Sequence, residues 1–169
     1  CQALDDTIQQ TKRVFQAGTQ RRSVANFQAA IRLAQSGKLG KIHTLFASVY
    51  TPSIDTAWLP GEPTPPRDVV DWDMWLGPRA FRPYQYNIAP YCFRWWKDYS
   101  SQVGNWGVHY MDVIRWLIGE QAPVAISAHG RRVIVDDDRT IPDTMESTFE
   151  MPGGAIITFG IDEGGGGSG

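Results

Sequence analysis

The chain has 169 residues, 42% of them hydrophobic and 20% charged, with seven Trp, six Tyr and seven Phe, a composition able to bury a core. A net charge of −2 removes the electrostatic case for nucleic acid or an anionic membrane surface. No apolar run approaches the roughly 18 residues of a membrane span, and Cys1 and Cys92 are too few for a disulfide framework and lack metal-ligand spacing, so a reducing, cytoplasmic compartment is expected.

In chain order, residues 2–12 read as a short helix with Leu4 and Ile8 at i, i+4, and Arg13-Val-Phe-Gln-Ala17 as a strand broken by Gly18. Ser23 is the predicted N-cap of the next helix. Val24, Phe27, Ile31 and Ala34 form its apolar stripe, and Gly37 fits the position just past its end. Residues 41–50 alternate as a strand, with Ile42, Thr44, Phe46 and Ser48 on one face.

Residues 51–103 are a different material. Prolines at 52, 60, 63, 65, 66, 78, 83 and 90 forbid long regular elements. Trp58, Trp72, Trp75, Phe81, Tyr84, Tyr86, Tyr91, Phe93, Trp95 and Trp96 supply large apolar faces, so a packed excursion over one edge of the domain is expected. A helix over residues 104–118 follows, ending at Gly119. Residues 124–134 and 144–151 then read as strands, and Pro152-Gly-Gly154 as a tight turn into a strand over 155–161. Helices followed by antiparallel strands are an α+β order. A Gly/Ser tail, residues 164–169, has spacer composition.

The segment Gly104-Asn-Trp-Gly-Val-His109-Tyr-Met-Asp112-Val-Ile-Arg-Trp116 carries the most chemistry. At helical spacing Asn105, His109, Asp112 and Trp116 share one face, and Trp106, Tyr110, Val113, Ile114 and Leu117 form a separate apolar stripe. Such a helix can pack and still present imidazole, the side chain suited to moving protons near neutral pH. The competing reading is a core histidine tied down by Asp112 at i+3. Trp95 and Trp96, with Lys97, suit either the apolar face of a sugar or core packing. Asp136, Asp137 and Asp138 lack the spaced oxygens and glycine of a calcium loop, so a solvated turn is expected and no metal site. His43 and His129 lie in strand patterns as surface or packing residues. Cys92 has no base near it in sequence and reads as structural.

Five blocks, in this order, resemble the Gfo/Idh/MocA oxidoreductases, the family of glucose–fructose oxidoreductase and inositol dehydrogenase. They are Gly18-Thr-Gln-Arg-Arg-Ser23, Ser36-Gly-Lys-Leu-Gly-Lys41, Asp71-Trp-Asp-Met-Trp-Leu-Gly-Pro78, the His109 segment, and Asp136-Asp-Asp-Arg-Thr-Ile-Pro-Asp-Thr-Met-Glu146. The resemblance implies a Rossmann domain that binds NAD or NADP, followed by an α/β domain built on an open, largely antiparallel sheet with helices on one face. Residues 1–20 would then be the last helix and strand of the nucleotide-binding domain, and residues 21–163 an incomplete substrate and oligomerisation domain. Neither G-x-G-x-x-G after a strand nor the family's Glu-Lys-Pro motif occurs in this sequence.

By the same resemblance His109 matches the histidine of the family's Asp-x-x-x-His pair, the acid/base toward a sugar hydroxyl. Asn105 stands at the Asp position, where it can hydrogen-bond imidazole but cannot stabilise imidazolium electrostatically. Gln20 and Arg21 match the segment facing the cofactor, and Arg22, Trp95, Trp96 and Asp112 are the expected substrate contacts. The implied activity is NAD(P)-dependent oxidation of a sugar or sugar-like secondary alcohol, by a homo-oligomer joined through its sheet. The alternative is a truncated, non-catalytic domain for ligand binding or oligomerisation.

Overall fold

A computed structural model describes residues 2–49, 61–86, 88, 92–119 and 122–164. Trp58, Tyr91, the prolines at 52, 60 and 90, Cys1 and the tail beyond Gly164 lie outside the described residues.

Four strands form one sheet in the order β1-β4-β3-β2, where β1 is Thr44–Val49, β2 Ala125–Arg131, β3 Thr144–Glu150 and β4 Ile156–Asp162. The β2–β3 and β3–β4 pairs are antiparallel, as the tight turn at residues 152–154 requires; Gly154 there sits at φ +85°, open to glycine without strain. The β1–β4 pair is parallel, so the sheet is mixed rather than uniformly antiparallel. The architecture is α+β, with an open sheet whose helices lie on one face.

Register decides which side chains that face takes. Leu45, Ala47 and Val49 of β1 align with Ile157, Phe159 and Ile161 of β4, and these with Phe149, Ser147 and Met145 of β3. Ile157 and Phe159 are wholly buried there, beneath α4 (Val108–Ile118), whose Ile114 and Met111 pack against Ile157 and whose Tyr110 packs against Phe159. At about 25 cal/mol per Å², burial of such side chains is the main term holding helix to sheet. The opposite face carries Thr44, Phe46 and Ser48, and none of the described helices covers it; Phe46 is 79% exposed. Phe149, Met151, Ile157 and Phe159 of the β3–β4 hairpin are therefore taken up by the chain's own core, while Ile156 stays exposed.

Helix α2 (Ala25–Gln35) lies beside α4, and Gln35 Nε2 donates to the Trp116 carbonyl at 2.8 Å. Its buried stripe is Ile31 and Ala34; Val24 is exposed and is itself the N-cap residue. Ser23 does not cap, because it ends a separate 3₁₀ turn, Gln20–Ser23. Gly37 takes the left-handed position after the helix, as expected.

Helix α1 (Gln2–Thr11) forms but buries no residue, and residues 13–17 make no strand, with Val14 fully exposed. A strand needs a neighbour to take its backbone hydrogen bonds, and none of the described strands pairs with this segment.

The Pro- and Trp-rich excursion is packed, as its composition demanded. Trp72, Leu76, Tyr84, Ile88, Trp95 and Trp96 enclose a second core that also takes Ile141. Asp71 caps the short helix α3 (Trp72–Leu76) by accepting from the Met74 amide, and Trp72 and Trp75 stack at 4.8 Å. Among the described residues no helix is long and apolar enough to cross a membrane.

Candidate active site

The helix that carries His109 is not α-helical throughout. Residues Val103–Gly107 form a π turn, with the Val108 amide donating back to the Val103 carbonyl, before α4 begins at Val108. Single π turns within helices recur at functional sites, since they re-aim side chains that regular spacing would stack. Asn105 lies inside this turn and His109 just beyond it, and both are half-buried. Among the described residues the Asn105 amide makes no hydrogen bond to the His109 ring; the ring's neighbour is Trp106, edge-on at 6.3 Å.

Asp112 does not tie down His109 either. Its carboxylate takes a forked pair from Arg22, Nε to Oδ2 and Nη2 to Oδ1, both at 2.9 Å. Arg22 also lies over the Trp116 ring at 5.2 Å. The contact is partly exposed, 38% at Arg22 and 17% at Asp112, so a stabilisation of about 1 kcal/mol is appropriate. Its main effect is placement. It seats the Gln20–Ser23 turn on the α4 face that also holds His109.

The same turn brings Arg21 to Tyr110, 4.5 Å above the ring, and within 5.3 Å of the Phe27 ring centre. Gln20 is exposed at the start of the turn. The structure thus brings the Gln20–Ser23 turn to α4 through two contacts, Arg22 on Asp112 and Arg21 on Tyr110, the first joining residues 90 positions apart. Trp116 belongs with them as the platform under Arg22. Its place on the His109 face was visible in the helical spacing, but its partner was not.

Trp95 and Trp96 lie elsewhere. Trp95 is wholly buried and Trp96 is 3% exposed, so both are core of the excursion and neither offers a face to a ligand. Trp95 Nε1 instead donates to Glu163 at 3.0 Å. Cys92 is half-buried, and burial pushes its thiol up despite the nearby Arg94, which keeps it unreactive. Asp137 is also not a solvated turn residue. It is paired through both oxygens with the buried Arg139, at 2.8 and 2.9 Å. A hollow of about 880 Å³ lies over Phe46, Ser48, Glu146 and Gly160 on the uncovered face of the sheet, with the sheet between it and α4.

Chemically, the arrangement offers a half-exposed imidazole whose nitrogens are free of protein hydrogen bonds among the described residues. Side-chain donors from Gln20 and Arg21 stand on the adjacent turn. The sequence holds no G-x-G-x-x-G turn to cradle a cofactor's pyrophosphate at a helix N-terminus.

Residues 21–157 match the family described as "oxidoreductase family, C-terminal alpha/beta domain" of the Gfo/Idh/MocA group. No curated protein sequence matches the chain. Among solved structures, aldose–aldose oxidoreductase from Caulobacter crescentus, complexed with glycerol, superposes with a TM-score of 0.67 at 17% identity over 96% of this chain and 39% of its own. The WlbA dehydrogenase from Chromobacterium violaceum, in complex with NADH and UDP-GlcNAcA, gives 0.60 at 17% identity over 94% of this chain and 36% of its own. The corresponding Bordetella pertussis enzyme gives 0.53 at 16% identity over 86% and 35%. At these identities the likeness is one of fold, and the chain spans less than two-fifths of each of these proteins. Sheet, helix face and sequence match agree: this chain belongs to the Gfo/Idh/MocA oxidoreductases and carries the fold of their C-terminal α/β domain.

Proposed function

We propose that this chain is the substrate-side part of an NAD(P)-dependent oxidoreductase acting on a sugar or sugar-like secondary alcohol, with His109 as the acid/base. The observation that carries the reading is the half-exposed His109 imidazole on α4, unbonded among the described residues and flanked by the turn that Arg22 and Asp112 lock in place. The solved relatives hold NADH with a nucleotide sugar, or glycerol, which supports this substrate and cofactor class.

In the forward direction an unprotonated ring nitrogen of His109 takes the hydroxyl proton as the C–O bond becomes a carbonyl. When bound, NAD(P) would supply the acceptor for the hydride that leaves the same carbon. Gln20 and Arg21 orient the cofactor edge, while Asn105 and the Arg22–Asp112 pair border the alcohol. Residues 1–20 belong on this reading to the nucleotide-binding domain, which accounts for an α1 without buried residues. The uncovered sheet face, with Phe46 79% exposed, is the proposed contact between subunits. A half-buried free Cys92 suits a reducing, cytoplasmic compartment.

The test is hydride transfer by the chain joined to its Rossmann domain, read as NAD(P)H formation across a panel of aldoses, uronates and inositols. Turnover with at least one of them is expected. None with any would leave the non-catalytic, ligand-binding or oligomerisation reading.

A further inference from the structure

A π turn hydrogen-bonds less well than the α-helix it interrupts, and it persists where its surroundings over-determine it. Here both ends are pinned to one strand. Downstream, Gly107 is buried over β4, where a Cβ would meet the Phe159 ring at an ordinary 3.5 Å and crowd Val103 Cγ1 at 3.1 Å, and the next turn is tied to the strand by Tyr110 packed on Phe159. Upstream, the wholly buried Gln102 donates from Nε2 to Glu163 Oε1 at 2.5 Å. Glu163 directly follows β4 and is held in turn. Both its oxygens accept from Trp95 Nε1 at 3.0 Å, and Arg139 Nη1 forms an ion pair with it, with Asp137 paired to the other edge of the same guanidinium.

We propose that Gln102 and Glu163 are positioning residues for the acid/base histidine. Together with Phe159 they set the distance between the two anchor points of the helix, and the surplus residue between those points is taken up by the Val108-to-Val103 bond of the π turn. That turn carries Trp106, the ring beside His109. A buried carboxylate with three donors is costly to move, so the strut is stiff where a surface contact would yield. The role of His109 is taken from the function proposed above; the strut itself is read without turnover.

The experiment is NMR on the full 169-residue chain. Gln102→Leu removes the donor and leaves Glu163 with Trp95 and Arg139. The His109 Cε1–H cross-peak is expected to shift as the Trp106 ring moves away from it. The amides of residues 103–108 are expected to exchange at least about tenfold faster relative to those of β3 and β4. Asp137→Asn cuts the same network on the far side of Arg139, and is expected to lower Tm while leaving the His109 cross-peak in place. The proposal is overturned if Gln102→Leu lowers Tm but leaves both signals as in the wild type, or if Asp137→Asn moves the cross-peak as far as Gln102→Leu does. Should Gln102→Leu fail to fold, Gln102→Asn keeps the amide, shortens its reach by one methylene, and is judged by the same two signals. An inactive joined enzyme would leave these outcomes unchanged, and their failure would leave sugar oxidation standing.

Discussion

Phe159→Ala probes the packing on which the site rests. Phe159 lies in β4, paired on both sides by β1 and β3, and its side chain is wholly buried. Its ring stands 6.2 Å from that of Tyr110 on α4 and lies against Gly107 of the π turn. Truncation removes an aromatic ring from between two rigid layers. The flanking Ile157 and Ile161 are fixed by their ladder bonds and cannot close the gap. Phe→Ala changes in cores cost about 3–5 kcal/mol, and the double pairing of β4 places this one in the upper half of that range. Against a total of about 5–15 kcal/mol for a domain, that is a large fraction. Urea unfolding followed by Trp fluorescence should show a lower midpoint at unchanged slope. Phe81→Ala, at a side chain 76% exposed, is the matched control and should stay within about 0.5 kcal/mol of the wild type. A loss below about 1.5 kcal/mol for Phe159→Ala, or an equal loss for Phe81→Ala, would refute this picture of the core.

Asp143 governs an acid-sensitive contact. Burial pushes its carboxyl up, but the amides of Val135, Ile134 and Val133 outweigh that and hold it below the usual carboxylate range. Its contribution is therefore full above the unfolded value of about 3.9 and is lost as pH falls through the depressed folded value, so Asp143→Ala should cost about 1–3 kcal/mol at neutral pH and flatten the acid limb of the stability curve. An acid limb as steep as the wild type's would contradict this. The chain by itself should bind NADH and NADPH weakly, because its sequence holds no phosphate-binding turn; calorimetric dissociation constants in the low micromolar range would overturn that. Phe46→Glu on the uncovered sheet face should shift the chain toward monomer in light scattering coupled to size exclusion, over a tenfold or wider concentration range. A wild type that is monomeric throughout would refute assembly through that face.

Local chemistry was legible in the sequence. Gly37, Gly119 and Gly154 mark two helix ends and a hairpin turn because each must reach positive φ, which few other residues adopt cheaply. The α4 faces and the three C-terminal strands followed from period. What escaped was decided by distant partners. The π turn depends on Gln102 and Glu163, 61 positions apart, and no local pattern announces it. Asp137 looked solvated because its neighbours are polar, yet Arg139 draws it inside. Arg22 and Asp112 were named separately as substrate contacts, and only the fold joined them across 90 positions. Trp95 and Trp96 showed aromatic character without showing that both are buried.

The most direct test of the proposed function is the turnover of His109→Ala in the chain joined to its Rossmann domain, measured with a sugar substrate that the wild type oxidises. The imidazole is half-exposed and bonds to no described residue, so its removal should leave the fold and the unfolding midpoint close to those of the wild type. Loss of the general base should lower kcat by about 10² to 10⁴. Near-full turnover in a folded His109→Ala enzyme would contradict the assignment of His109 as the acid/base.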